Sequence, residues 1–331
     1  MAHSVLYMSP TSQPLRDLIL SEEPPGFVNS WIETDSQSEI EAKLADADFV
    51  VTGEITSEQI ARATRLKLIQ MPGVGYENID VEAANARGIP VAITPEGTIV
   101  GVAEHTIMMM LAIYKHLTEA HSALARGEWI HNRLRPICLM LDGKRLGIVG
   151  MGRIGREVAK RLRGWNVDLV YSDIRRLSPN EEAELRATYV PLDELLRTSD
   201  VVTLHVFLSE GSRYMIGERE LELMKSTSVI INTSRGGVVD EAALYRALSE
   251  RRILGAGIDA WEQEPTPPDN SLLRLDNVLL TPHMATANRD AVIQKSRACY
   301  ANFQRVLRGE APLNTVRPYQ AIEAALKSPS G

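Results

Sequence analysis

RLGIVGMGRIGREVAKRLRGWNVDLVYSD, residues 145–173, runs from an apolar strand through a glycine turn into a helix and out along a second strand. The turn, Gly150-Met-Gly-Arg-Ile-Gly155, gives each glycine a separate task. Gly150 permits the tight turn, Gly152 lets backbone approach a pyrophosphate, and Gly155 lets helix and strand pack closely. The helix that opens at Arg153 presents free N–H groups and a partial positive charge to phosphates. The following strand ends in Asp173, 173 − 150 = 23 residues beyond the first glycine, the spacing of a carboxylate that holds both hydroxyls of an adenosine ribose. Strand, glycines, helix, strand and acid in this order predict dinucleotide binding, where a lone GxGxxG would not. The charge on Asp173 repels a 2′-phosphate and favours NAD. Arg175 and Arg176 could accept that phosphate, so NADP stays open.

Working outward, the chain after Arg145 alternates strand-like runs (146–149, 167–172, 200–204, 229–232, 254–259, 278–280) with helical ones, for instance 153–163 and 240–249. The first hundred residues alternate too: 5–8, 49–52, 66–71 and 89–93 read as strands, 57–63 and the stretch after Asp80 as helices. Ser38-Glu-Ile-Glu41 reads as a capping box opening another helix. Strands alternating with helices predict an α/β fold built on parallel sheets. From Gly101 to His116 runs a helix apolar on most sides, rich in methionine (Met108, Met109, Met110), which reads equally as a core helix or one shared with a second subunit. A final periodic helix covers 290–307, and a polar tail begins at Ser328.

Three polar residues follow strand-like runs of the second region: Arg235 in INTSRGG (231–237), Glu264 in GIDAWEQEP (257–265) and His283 in VLLTPH (278–283). In an open parallel sheet, ligands bind beyond the carboxyl ends of the strands. Reducing a 2-oxo acid needs a hydride at the carbonyl carbon and a proton at its oxygen. A histidine suits the proton, a carboxylate on its other ring nitrogen orients it and favours imidazolium, and an arginine pairs with a carboxylate and polarises a carbonyl. His205, also at a strand end, is given only a cofactor-facing role.

Composition limits the alternatives. With 331 residues, 44% of them hydrophobic, the chain has material for about two cored domains. A net charge of −7 offers no footprint for nucleic acid. Cys138 and Cys299 are too few for a disulfide framework and lack metal-ligand spacing, so no metal is expected and a reducing, cytoplasmic setting is. Neither a secretory leader nor a membrane span is legible.

The motifs MPGVGYENID (71–80), VAEHTIMMMLA (102–112), GKRLGIVGMGRIGREVAKRL (143–162), INTSRGGVVDEAAL (231–244), GAGIDAWEQEP (255–265) and NVLLTPHMA (277–285) resemble those of the D-isomer-specific 2-hydroxyacid dehydrogenase family, in its order. The resemblance implies two doubly wound parallel-sheet domains. A Rossmann NAD domain, 101–284, would be inserted into a flavodoxin-like substrate domain made of 1–100 and 285–331. It implies catalytic roles for Arg235, Glu264 and His283, with His283 the proton donor. It places the substrate carboxylate on the N–H groups of Val74 and Gly75, and the cofactor near Arg153, Ile154, Asp173, Thr233, Ser234, Arg235, Asp259 and His283. It also implies a homodimer joined through the methionine-rich helix. The sequence departs from the family's common pattern at Phe207, Thr98 and Thr286.

The expected reaction interconverts a small 2-oxo acid and its D-2-hydroxy acid. Glu54, where relatives acting on phosphoglycerate tend to carry arginine, argues against that substrate, and Glu264 argues against formate. Phosphoglycerate or phosphite oxidation on the same scaffold, and a nicotinamide-sensing interaction protein of the corepressor type, are the alternative readings.

Overall fold

The computed structural model describes residues 2–34 and 36–318. The chain divides into two compact units, one formed by Met1–Thr98 with Ala287–Gly331, the other by Ile99–Thr286. The chain enters the first unit with β1 (His3–Tyr7), α1 (Gln13–Leu20), β2 (Phe27–Trp31), α2 (Gln37–Ala45), β3 (Phe49–Val51), β4 (Glu54–Ile55), α3 (Ser57–Arg62), β5 (Leu68–Met71), β6 (Asn78–Ile79), α4 (Val81–Ala86) and β7 (Val91–Ile93). Five strands make one sheet in the order β2-β1-β3-β5-β7, all parallel, with β4 and β6 as a small separate pair. Strands such as β3, Phe-Val-Val, are buried at every position. That is why they read as short apolar runs with no alternation.

Helices α1 and α3 and their neighbours follow local signals. Thr56 and Gln59 form a reciprocal capping box at α3, and Pro14 sits in the first turn of α1. The box expected at Ser38–Glu41 is displaced. Ser36 caps α2 by accepting from the Glu39 N–H at 3.3 Å, and the Glu39 carboxylate turns back to the N–H groups of Glu33 and Thr34.

The second unit is built from α5 (Thr98–Tyr114), α6 (Leu117–Ala125), α7 (His131–Leu134), β8 (Arg145–Val149), α8 (Arg153–Leu162), β9 (Asp168–Ser172), α9 (Pro179–Leu185), β10 (Ala187–Tyr189), α10 (Leu192–Thr198), β11 (Val201–Leu204), α11 (Glu218–Leu223), β12 (Val229–Asn232), α12 (Glu241–Ser249), β13 (Gly255–Ile258) and β14 (Val278–Leu280). Its seven strands are parallel, in the order β10-β9-β8-β11-β12-β13-β14. The order reverses between β8 and β11, which is the switch point where such sheets take ligands.

One apolar core includes Leu195, Leu204, Leu244 and Ile258; another includes Met109, Met110, Ile148 and Val158. The methionine-rich helix is therefore a core helix on that face, while Val100 and Met108 remain exposed on it. The chain then returns to the first unit as α13 (Arg289–Leu307), whose Tyr300 and Phe303 pack among Phe27 and Phe49. The polar tail read from Ser328 lies outside the described residues.

Candidate active site

The site of the second unit lies at the carboxyl ends of β8, β12, β13 and β14. Pro282 follows β14, and His283 is held with φ +50°, a left-handed conformation unfavourable for a residue with a Cβ. Asp259, at the end of β13, over-determines it. The Asp259 carbonyl accepts from the His283 N–H at 2.9 Å. The Asp259 carboxylate accepts from the N–H groups of Met284 at 2.8 Å and Ala285 at 3.0 Å, and from the Thr281 hydroxyl at 2.6 Å. Because Thr281 donates to Asp259, its oxygen accepts from His105 Nε2 on α5, 3.1 Å away. Burial would raise the Asp259 carboxyl, but His105, whose Nε2 is also 3.5 Å from Asp259 Oδ1, together with Thr281 and the Met284 and Ala285 N–H groups, holds it below the usual range.

The His283 ring is thereby aimed at Glu264. His283 Nδ1–H donates to Glu264 Oε2 at 2.7 Å, and Glu264 Oε1 accepts from the Trp261 N–H at 2.9 Å. The Trp261 indole N–H donates to the Thr281 carbonyl at 3.0 Å, tying the loop after β13 to the loop after β14. The Glu264 hydrogen bond raises the His283 pKa against burial and the Arg235 charge, which lower it. Glu264 shifts the other way: burial raises it, but His283 and the Trp261 N–H hold it ionised below the usual range. The two shifts together favour the imidazolium–carboxylate form of the pair.

Arg235 follows β12. Its Nη1 donates to the Ser234 carbonyl at 2.8 Å, and its charge is felt at both Glu264 and His283. The loop is shaped by Asn232, which accepts from the Ser234 N–H and hydroxyl and donates to the Arg235 carbonyl. A Cβ at Gly236 would overlap the Trp261 and Glu262 backbone, so only glycine lets the Arg235 and Glu264 loops meet this closely. Thr233 is hydrogen-bonded to Thr106 of α5 at 2.8 Å.

The glycine turn fits a dinucleotide. Gly150 has φ +93° and presses on the His205 carbonyl, 2.6 Å from where a Cβ would stand; a Cβ at Gly155 would overlap the Gly150 carbonyl. At Gly152 a Cβ would meet nothing within 4 Å, so backbone there faces open space. Gly152 begins α8 without a side-chain cap, leaving the N–H groups of Arg153 and Ile154 at the helix start for an anion. Asp173 accepts from the Met151 N–H at 2.6 Å and the Arg175 N–H at 2.9 Å, which fixes the carboxylate beside the turn. Arg176 is committed elsewhere, to Glu182 and over the Tyr189 ring. His205 is partly buried, bonded through Nε2 to Thr203 at 3.0 Å, and desolvation of its ring pushes its pKa down to about 3. It is neutral near pH 7, and its carbonyl packs against Gly150 of the turn.

Val74 and Gly75 belong to the first unit, in the turn after β5. Thr94 pins that turn: its N–H donates to the Gly73 carbonyl at 2.7 Å and its hydroxyl to the Met71 carbonyl at 2.9 Å. Gln70 and Asn302 extend this buried network with bonds of 2.8 and 2.9 Å.

Three contributors escaped the sequence reading. His105, Thr281 and Trp261 position His283 and Glu264 through the hydrogen bonds described above. Thr281 and Trp261 stand within three residues of the groups they hold, but nothing in a sequence says that His105 meets Thr281 across 176 positions.

Comparison with known proteins gives a family. Residues 107–285 match the family model described as "D-isomer specific 2-hydroxyacid dehydrogenase, NAD binding domain". The chain is 40% identical over 307 residues to a glyoxylate reductase of Korarchaeum cryptofilum, covering 91% of this chain and 89% of that one. It is 39% identical over 286 residues to a D-3-phosphoglycerate dehydrogenase of Methanocaldococcus jannaschii, covering 85% of this chain but 54% of that enzyme. Among solved structures, the TT0316 protein from Thermus thermophilus is similar with TM-score 0.84 at 31% identity, covering 95% of this chain and all of the other.

Proposed function

This chain belongs to the D-isomer-specific 2-hydroxyacid dehydrogenase family, and from that premise we propose that it interconverts a small 2-oxo acid and its D-2-hydroxy acid, with His283 as the proton donor and acceptor. The observation that carries the reading is the 2.7 Å His283–Glu264 pair on the same strand edge as the phosphate-binding turn. An NAD-type cofactor serves the family. In this reading it rests on Gly150, Gly152, Arg153, Ile154, Gly155, Asp173, His205, Thr233, Ser234, Arg235, Asp259 and His283. When bound and reduced, its nicotinamide supplies the hydride.

The chain's own residues do the rest. His283 in its imidazolium form gives its Nε2 proton to the carbonyl oxygen as the alcohol forms, and takes one back in oxidation. Glu264 keeps the ring oriented and its charge balanced throughout. Arg235 turns its guanidinium to the substrate carboxylate and carbonyl, polarising the C=O. The N–H groups of Val74 and Gly75 complete the carboxylate's hydrogen bonds. Asp173 selects NAD over NADP by repelling a 2′-phosphate, and the commitment of Arg176 to Glu182 supports this.

Glyoxylate and similar short 2-oxo acids fit this reading best, since the K. cryptofilum relative carries that name. Exposed Glu54 disfavours phosphoglycerate. A homodimer and a cytoplasmic location, with Cys299 as a free thiol, belong to the same reading. The experiment is NADH and NADPH oxidation with glyoxylate, hydroxypyruvate, pyruvate, phenylpyruvate and 2-oxoisocaproate. Turnover with NADH on one or more acids is expected; cofactor binding with no turnover on any would replace the enzyme reading with a sensing one.

A further inference from the structure

Helix α13 carries Ala291, Lys295, Cys299 and Phe303 at intervals of four, on one stripe of the helix. Three of them have fixed neighbours in the first unit. Phe303 stacks on Phe49 of β3 with ring centroids 4.5 Å apart. Cys299 Sγ lies 3.6 Å from Thr94 Oγ1, just past the end of β7. Ala291 backs so tightly onto Gly97 that a Cβ there would stand 2.6 Å from the Ala291 Cα. From Phe303 to Ala291 the stripe thus climbs from the body of the sheet to the segment beyond its carboxyl edge. Lys295 lies between Cys299 and Ala291, ~6 Å along the axis from each. That places it level with residues 94–97.

The turn of Val74 and Gly75 stands at this same edge. It follows β5, the neighbour of β7 in the sheet, and is bound to Thr94 through the Gly73 and Met71 carbonyls. Helix α13 packs on β5 itself.

Lys295 makes no hydrogen bond or ion pair with any described residue. Glu96, the acid of the 94–97 segment, is directed to the Asn314 side-chain amide at 3.5 Å. Burial pushes the Lys295 ammonium below its ordinary range, with only the Cys299 thiol acting in the opposite sense. A half-buried cation without a partner is unfavourable, and an apolar residue would suit a stripe shared with alanine, cysteine and phenylalanine. The position becomes favourable when an anion arrives beside it.

We propose that Lys295 is a substrate-binding residue whose ammonium pairs with an anionic group of the acid held at the Val74–Gly75 turn. The anion is either the carboxylate common to all 2-oxo acids or a second acidic group at the far end of the substrate. This rests on the assignment of that turn to the substrate made above.

The test compares wild type, Lys295→Met and Lys295→Arg on glyoxylate and 2-oxobutyrate, which carry one acidic group, and on oxaloacetate and 2-oxoglutarate, which carry two. Lys295→Met should raise KM about ten- to a hundredfold with kcat little changed, and Lys295→Arg should recover most of it. A loss on all four acids assigns the common carboxylate; a loss confined to the two-acid substrates assigns the distal group. The melting temperature of Lys295→Met should equal or exceed wild type, since a buried charge has been removed.

The proposal is overturned by KM values within about twofold of wild type throughout. It is equally overturned by a loss that comes with a lowered melting temperature and is not recovered by arginine. Binding of oxamate, an unreactive analogue, in the presence of NADH separates this claim from the functional reading. If no acid turns over but oxamate binding weakens in Lys295→Met, the residue's role stands and the reaction assignment falls. Unchanged oxamate binding in that case removes the role of Lys295.

Discussion

In the proposed reaction the proton chemistry turns on His283, whose titration is raised most by the Glu264 hydrogen bond. Glu264 raises the imidazole pKa while burial and Arg235 lower it, so the charged form survives to higher pH than the ring alone would allow. The proposed reduction needs that charged form, so its rate should fall as pH rises through the raised pKa. In Glu264→Gln the fall should move to lower pH, visible in the pH profile of kcat/KM for reduction; an unmoved midpoint would mean that Glu264 does not set the titration. His283→Ala should lower turnover by a factor on the order of 10²–10⁴ with NADH affinity retained, measured by steady-state kinetics and fluorescence titration. Asp173→Ala should weaken NADH more than NADPH in the same titrations, and equal losses would place ribose recognition elsewhere.

The positions of Arg235, Glu264 and His283 after strand-like runs were legible in the sequence, whereas the left-handed backbone of His283 and its tether to Asp259 were not. They depend on contacts between β13, β14 and α5 that no local pattern encodes.

At the scale of the element, the turn from β8 into α8 makes a sharp distinction between two glycines. A methyl at Gly155 would overlap the Gly150 carbonyl, so Gly155→Ala must push helix from turn, destabilising the unit by about 1–3 kcal/mol and lowering its melting temperature. A methyl at Gly152 meets no protein atom within 4 Å. Gly152→Ala should therefore melt with wild type yet bind NADH at least about tenfold more weakly, because the methyl enters the space assigned to the pyrophosphate. Equal NADH affinity in Gly152→Ala would remove the pyrophosphate from that position.

Elements with strong local signals were readable from the chain: β12 and β14 begin and end where the apolar runs do. By contrast, α1 and β2 carry no usable pattern. Helix α1 has only Ile19 buried, and β2 places an edge strand with Phe27 and Trp31 inward and Val28 exposed. Their identity comes from packing on β1 and α13, a tertiary property. The capping box of α2 was displaced because Ser36 and Ser38 both precede a glutamate by three residues, and the sequence offers no means of choosing between them.

At the scale of the whole molecule, the chain crosses between its two units at Thr98–Ile99 and again at Thr286–Ala287, so one unit is an insertion in the other. A resemblance spanning both regions implied an inserted domain; composition and periodicity alone did not. Exposed apolar side chains gather in one part of the sequence of the inserted unit, with Val100, Met108, Leu117, Leu124, Ile137, Met140 and Trp165 all open and Trp129 82% exposed. Such a concentration favours self-association. Light scattering after gel filtration should give about twice the 36.6 kDa chain mass, and a chain-sized species at micromolar concentration would refute the dimer.

The most direct test of the central claim follows NADH absorbance with glyoxylate in wild type and His283→Ala side by side, with NADH binding measured for both. The account predicts NADH consumed in equal amount to the hydroxy acid formed by wild type, and consumption lost in the variant although NADH still binds. Turnover undiminished in His283→Ala would contradict it, because the proton would then come from another group.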